Sequence, residues 1–438
     1  MNMKKILAFA TVIAFGGITG GCGNVNENED KEKDENVVQN VKAVVLEDNC
    51  SAAILDNGDL YTWGDNENGQ LGNGQKGESS GPKKILDNAV SIQWGTDSGH
   101  EFGAALTDDG SLYTWGNNER GQLGTGDDKN SLTPVKVMDN IRDFSIGSCC
   151  MGAITNDGDL YTWGENYNGF LEVSGQIGNG TEEDALKPVK ILENVRTVDF
   201  GAYHAGAIKE DGSLYTWGSN HDGELGNGEY ADSLTPIKIM DNVVEIDFTG
   251  FVSMALTEKG ELYTWGTNDD GKLGIGVSEL EIICSREPMM IMSNVKTVNS
   301  GSAITNDNEL YLWSSEVADE IMGESLSPVK VMDDVSFGND SYAITNDGIL
   351  YLWGENYYGQ LGNGNSGGKD NEYNEGIDSW IPVKVMDNVA SVSLGRNHSA
   401  AITKDGILYI WGNNSSGQLG NGTSENSDTP IKAKFPAE

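Results

Sequence analysis

An all-β propeller of eight four-stranded blades is the fold class this sequence predicts, and three features in register predict it. A Leu-Tyr-x-Trp phrase ends at Trp63, Trp115, Trp163, Trp217, Trp265, Trp313, Trp353 and Trp411. A turn pair precedes each phrase, as in Asn57-Gly58, Asp109-Gly110 and Asp211-Gly212, with Asp307-Asn308 the one pair without glycine. Eight of the nine prolines recur at one place in the unit, from Pro82 to Pro430. The period is roughly 50 residues, the size of one supersecondary block in a repeat array. The alternative count is seven closed blades with one appended unit.

The chain opens with a segment read as an address. Lys4-Lys5 precede an apolar stretch from Ile6 to Ile18, too short to span a membrane comfortably, and Thr19-Gly20-Gly21 lead to Cys22. Residues 1–21 resemble a bacterial lipoprotein signal, with Thr19 where leucine is usual. That resemblance implies cleavage before Cys22 and lipidation of its thiol, and a plain secretory signal is the second reading. Residues 22–40 are rich in Asn, Asp, Glu and Lys and carry no aromatic residue. They read as a disordered acidic tether. The expected location is the outer side of a bacterial cell membrane, held by the lipid.

From Val41 to Glu438 the units follow without a break, one propeller domain. In the fourth unit Val195 to Phe200 and His204 to Ile208 are the first two strands. Asp211-Gly212 reads as a two-residue hairpin turn, Leu214 to Gly218 as the third strand and Pro236 to Ile239 as the fourth. Proline donates no hydrogen bond, so it is expected as the first residue of an edge strand. Two residues on stands Lys84, Lys136, Lys190, Lys238, Lys330, Lys384 or Lys432, and Met290 in the fifth unit. Lysine on an outer strand opposes pairing with another sheet. The eight tryptophans are read as core between blades, and the sixth unit, with Trp313-Ser314 and no Gly-Gln-Leu-Gly, as the weakest blade. The strand from Thr429 to Lys432 is expected to close the ring beside the segment starting at Val41.

The motif Gly395, His398, Ala401, Asp405-Gly406, Leu408-Tyr409, Trp411-Gly412, Asn414 and Gly417-Gln418-Leu419-Gly420 resembles the regulator-of-chromosome-condensation repeat. The resemblance covers residues 41–438. It implies a propeller and, by analogy with the eukaryotic founder, guanine-nucleotide exchange and chromatin docking. Composition opposes that activity. With 28 basic and 68 acidic residues the net charge is −40, or −42 once a cleaved leader takes Lys4 and Lys5. Nucleic-acid affinity is built largely on basic side chains, so no nucleic-acid partner is expected.

No catalytic motif is present: four histidines, no nucleophile elbow, no metal-spaced His pair and no phosphate loop. The motif's histidine survives only at His204 and His398, which excludes a ring of catalytic or ligating histidines. No enzyme activity and no cofactor are expected. A calcium loop over Asp370 to Asn374 is poor, because Glu375 and Ile381 stand where glycine and a bidentate acid belong. Cys50, Cys149, Cys150 and Cys284 read as free thiols, with a vicinal Cys149–Cys150 bond as the alternative.

Propellers bind through the variable loops at one end of the ring. The variable positions include Arg120 and the candidate partner-binding residues Tyr167, His221, Tyr357, Tyr358, Tyr373 and Trp380, with Trp380 equally readable as packed under its own loop. The expected function is a monomeric, membrane-tethered scaffold binding a protein or an envelope component. A secreted inhibitor of the β-lactamase-inhibitor propeller type is the alternative.

Overall fold

The computed structural model describes residues 40–95, 101–168, 173–278, 281–299, 301–313, 326–367 and 378–436. Their strands form eight four-stranded antiparallel sheets, each from one sequence unit, and a two-stranded ribbon interrupts the third unit. The blades span 41–86, 89–138, 141–192, 195–240, 243–292, 295–332, 335–386 and 389–432. Eight blades, not seven and an appendage, make the ring. The burial gradient across a sheet follows its place in the ring. In blade 1 the second strand, Cys50–Leu55, and the third, Leu60–Gly64, are buried throughout, while the fourth, Ser79–Leu86, is largely open.

Two local readings need correction. The hairpin between the second and third strands is a three-residue loop. The Gly110 N–H donates to the Thr107 carbonyl, and Thr107 N–H to the Ser111 carbonyl. Gly110 alone of the pair has positive φ, 80°, so the turn is type I closed by a left-handed glycine. Asp109 contributes by accepting the Ser111 N–H at 3.0 Å. The fourth strand also starts before its proline. In blade 4 it runs Ser233–Met240, and Thr235-Pro236 fall where the register slips between Ile237 and Ser233. A bulge leaves the missing proline N–H without a ladder partner to disappoint.

The recurrent motif is a clasp between neighbours. Asn66 Oδ1 accepts the Leu71 N–H at 3.0 Å, and Thr62 Oγ1 donates to the Leu71 carbonyl at 2.7 Å, which fixes the loop after the third strand. The Gln70 carbonyl then accepts the indole N–H of Trp115 in the next blade at 2.6 Å. Trp163 does the same to Gln122, Trp217 to Gln176, Trp265 to Glu224, Trp313 to Lys272 and Trp411 to Gln360, between 2.7 and 3.1 Å. Gly72 is required there: its φ is 65°, and a Cβ would stand 2.7 Å from the Trp115 ring. Trp353 departs, donating to the Asp340 carbonyl of its own blade at 2.5 Å. It follows the blade whose motif is incomplete, and that blade has the shortest set of strands.

Closure uses the same clasp. Trp63 of blade 1 donates to the Gln418 carbonyl of blade 8 at 2.8 Å, and the Ser51 hydroxyl to that carbonyl at 2.8 Å. Val41 N–H reaches the Gly406 carbonyl. Ala400, Ile402, Leu408 and Ile410 share one buried cluster with Val41, Leu46 and Trp63. The sequence leads us to expect the strand from Thr429 to Lys432 beside the segment starting at Val41, but the C-terminal strand, Ser427–Lys432, does not pair there. It pairs with Leu408–Gly412 as the outer strand of its own blade, and beyond it Phe435 reaches blade 1, 5.4 Å from the Tyr61 ring. The reason is that each unit already holds all four strands, so no blade needs one from the far end.

Candidate functional site

Antiparallel order places the end of the first strand and the end of the third strand of each blade at the same end of the ring. Aromatic and charged side chains gather there. Tyr357 and Tyr358 lie in the turn after the third strand of blade 7, edge to face at 4.9 Å, with Tyr357 exposed and Tyr358 half-buried. Their turn is preformed: Asn356 Oδ1 accepts the Leu361 N–H and Gln360 Oε1 the Tyr358 N–H, both at 2.9 Å. Register-equivalent places in blades 2 and 4 hold Arg120, 3.6 Å from the Glu165 carboxylate, and His221, 3.6 Å from Asp232. Tyr167 is the same position in blade 3, where residues 167–168 pair with 173–174 in a two-stranded ribbon.

Trp380 is separate from this group. It sits in Ser379–Met386, the outer strand of blade 7, half-buried against the cluster holding Trp353 and Leu310. Packing is therefore part of its role. Tyr373, Cys22 and the Asp370 to Asn374 run lie outside the described residues. Sequence reasoning missed Tyr203 and Phe251. They occupy the first-to-second strand loops of blades 4 and 5, both half-buried, their rings 6.1 Å apart. The signal is in the sequence, since these positions directly precede the motif histidine and vary between units.

The same end holds a cavity of about 90 Å³ between blades 1 and 2, lined by Asp48, Cys50, Asp65, Trp94 and Glu101 among others. Burial pushes the Cys50 thiol well above its ordinary range, and the Asp65 and Glu101 carboxylates push it further. Burial raises Cys150 in the same way. Neither is a ready thiolate. Of the four described cysteines, Cys50, Cys149 and Cys150 are buried and Cys284 is half-exposed; Cys50, Cys150 and Cys284 are free thiols. Among the described residues no cluster of three or more His, Cys, Asp or Glu could hold a metal ion, and no helix is long and apolar enough to cross a membrane.

The two motif histidines bridge blades. His204 Nε2 meets Ser253 Oγ at 2.8 Å and His398 Nε2 meets Ser51 Oγ at 3.0 Å. Ser253 donates on to the Glu224 carbonyl, as Ser51 does to Gln418. Burial pulls His204 down to about 3. It pulls His398 to about 4 against a smaller upward pull from the Cys50 and Asp48 backbone. Both are neutral seam groups.

The sequence profile of the RCC1-like domain matches residues 11–317, more than half of the chain. The chain belongs to the RCC1-like repeat family. The regulator of chromosome condensation (RCC1) repeat also matches 347–402 and 405–438 of this propeller. Among curated relatives, the ultraviolet-B receptor UVR8 of Arabidopsis thaliana is 32% identical over 186 residues, 41% of each chain. The E3 ubiquitin-protein ligase HERC2 of Homo sapiens is 29% identical over 177 residues, 39% of this chain and 4% of that protein. The RCC1-like chain thus spans less than half the length of these relatives. Yeast RCC1 (Prp20), solved with Kap60, superposes with a TM-score of 0.57 at 18% identity, covering 95% of this chain and 91% of that one. Human WBSCR16 gives 0.54 at 18% identity, over 86% and 95%. At such identities the likeness is one of fold.

Proposed function

We propose that this RCC1-like propeller is a protein-binding scaffold without catalysis of its own, tethered outside the cell by lipid on Cys22. The observation that carries the binding role is the tyrosine pair Tyr357–Tyr358 on a turn held rigid by Asn356 and Gln360. Exposed tyrosines lose little side-chain entropy on docking and are common anchors of interfaces. Tyr203 and Phe251 extend the aromatic surface at the same end. Support for a non-catalytic role comes from His204, His398, Cys50 and Cys150, which are buried, with burial disfavouring the charged form of each. The relatives, an ultraviolet-B receptor and an E3 ubiquitin-protein ligase, share no single chemistry in their names. The net charge of −40 opposes a nucleic-acid partner.

Crosslinking on intact cells, comparing wild type with Tyr357→Ala/Tyr358→Ala and with Cys22→Ser, tests the reading. The tyrosine variant is expected to keep its fold and lose a captured protein, and Cys22→Ser to leave the membrane fraction. An unchanged capture profile in the tyrosine variant refutes this choice of surface.

A further inference from the structure

After its proline, the outer strand of blade 5 departs from the residue pattern of the other outer strands, although its pairing register is theirs. In six other blades the lysine two residues after the proline faces an acid three positions on: Lys84–Asp87, Lys136–Asp139, Lys190–Glu193, Lys238–Asp241, Lys330–Asp333 and Lys384–Asp387. Blade 5 has Met290 and Ser293 there. At the end of the clasp loop, where Asn73, Thr125, Asn179, Asn227, Asn363 and Asn421 stand, it has Ile275. Ile275, Met289, Met290, Tyr311 and Pro328 together line an open groove of about 430 Å³ between blades 5 and 6. Met290 is 57% exposed, and the strand that carries it, Cys284–Met292, is the edge of its sheet.

An edge strand offers a row of unpaired N–H and C=O groups to any chain that can lie alongside. In six other blades a Lys–acid pair stands on that strand. On blade 5 Met290 stands in place of the lysine, Ser293 in place of the acid and Ile275 in place of an amide or hydroxyl; the Met thioether adapts to varied apolar partners. We propose that the outer edge of blade 5, with its groove, receives an extended apolar segment of a partner protein that is flanked by basic residues. The basic flanks follow from the field of a chain with net charge −40, which favours cationic neighbours and repels a second copy of itself. The inference rests on the scaffold reading and adds a second contact surface on the rim.

Fluorescence polarisation with a labelled peptide of alternating Val and Thr, bearing Lys-Lys at each end, tests it on the full chain. Wild type is expected to bind, and Met290→Lys/Ser293→Asp, which restores the pattern of the other blades, to bind roughly tenfold more weakly. A Glu-Glu-flanked peptide is expected to bind worse than the Lys-Lys one. Ile275→Asn, judged beside near-ultraviolet circular dichroism for an intact fold, gives a second route to the same loss. Equal binding by wild type and the double variant overturns the proposal, as does equal binding of the two peptides, no binding at all, or concentration-dependent dimerisation abolished by Met290→Lys. If the rim proposal fails while Tyr357→Ala/Tyr358→Ala still loses its captured protein, the scaffold reading stands without it.

Discussion

At the residue scale the tryptophans carry more than buried area. Seven of the eight motif indoles cross a seam to a carbonyl of the preceding blade, so each is at once core and hydrogen-bond donor. Trp217→Ala is therefore expected to cost about 3–5 kcal/mol through cavity formation, with the Gln176 carbonyl left unpaired besides. Trp217→Phe keeps most of the apolar volume and loses the bond, so about 1–3 kcal/mol is expected. Chemical denaturation of both variants checks the order. Equal stability of wild type and Trp217→Phe shows that the seam bond contributes nothing. The role of these tryptophans as core was legible from their fixed place in the third strand. Their carbonyl partner was not, because the acceptor belongs to another unit's backbone and leaves no mark on side-chain identity.

At the element scale, the inner strands are stitched by side chains that a sequence reader takes for solvent-facing residues. Gln93 accepts the Ile146 N–H and donates to the Phe144 carbonyl, tying blade 2 to blade 3. The Asp199 carboxylate accepts the Phe248 N–H at 2.7 Å, and Thr297 donates to Glu245 at 2.7 Å. These acids stand on the first strands of their blades and are half-buried. Burial raises Glu245 to about 7 and Asp143 to about 6. Burial and the nearby Asp247 raise Asp199. An acid whose folded value lies above its unfolded one stabilises the fold fully below the unfolded value. That contribution is lost as pH rises through the folded one. The histidines run the other way: depressed in the fold, His204 and His398 contribute fully above about 6.5, and the contribution goes as pH falls toward 4 and 3. Glu245→Gln, which keeps an acceptor for Thr297, is expected to gain stability over wild type at pH 8 and to lose that gain by pH 4. Thermal melts across this range check it, and a difference independent of pH refutes the assignment. Alternation of polar and apolar residues correctly located these strands. It could not say that the polar face looks onto a neighbour's backbone, since that face is set by ring curvature.

At the scale of the whole molecule, the repeat count determined the architecture because every unit holds four strand segments, and the ring needs no exchange of strands to close. The two errors of local reading, the hairpin turn and the start of the outer strand, share a cause. Asp-Gly fits two turn types, and proline fits both a strand's first residue and a bulge within it, so tertiary register decides between them. The binding face was partly legible: Tyr357, Tyr358, Arg120 and His221 fall at one end of the ring, Trp380 goes to the rim, and Tyr203 and Phe251 were overlooked. Closure between blades 8 and 1 is the claim on which every seam argument depends. Hydrogen exchange of the indole Nε1–H protons, read by nitrogen-15 spectroscopy and assigned with Trp63→Phe, tests it most directly. A closed ring predicts that the Trp63 indole proton exchanges as slowly as those of Trp115 and Trp217. Exchange of Trp63 at the rate of a solvent-exposed indole, with the others protected, would contradict it.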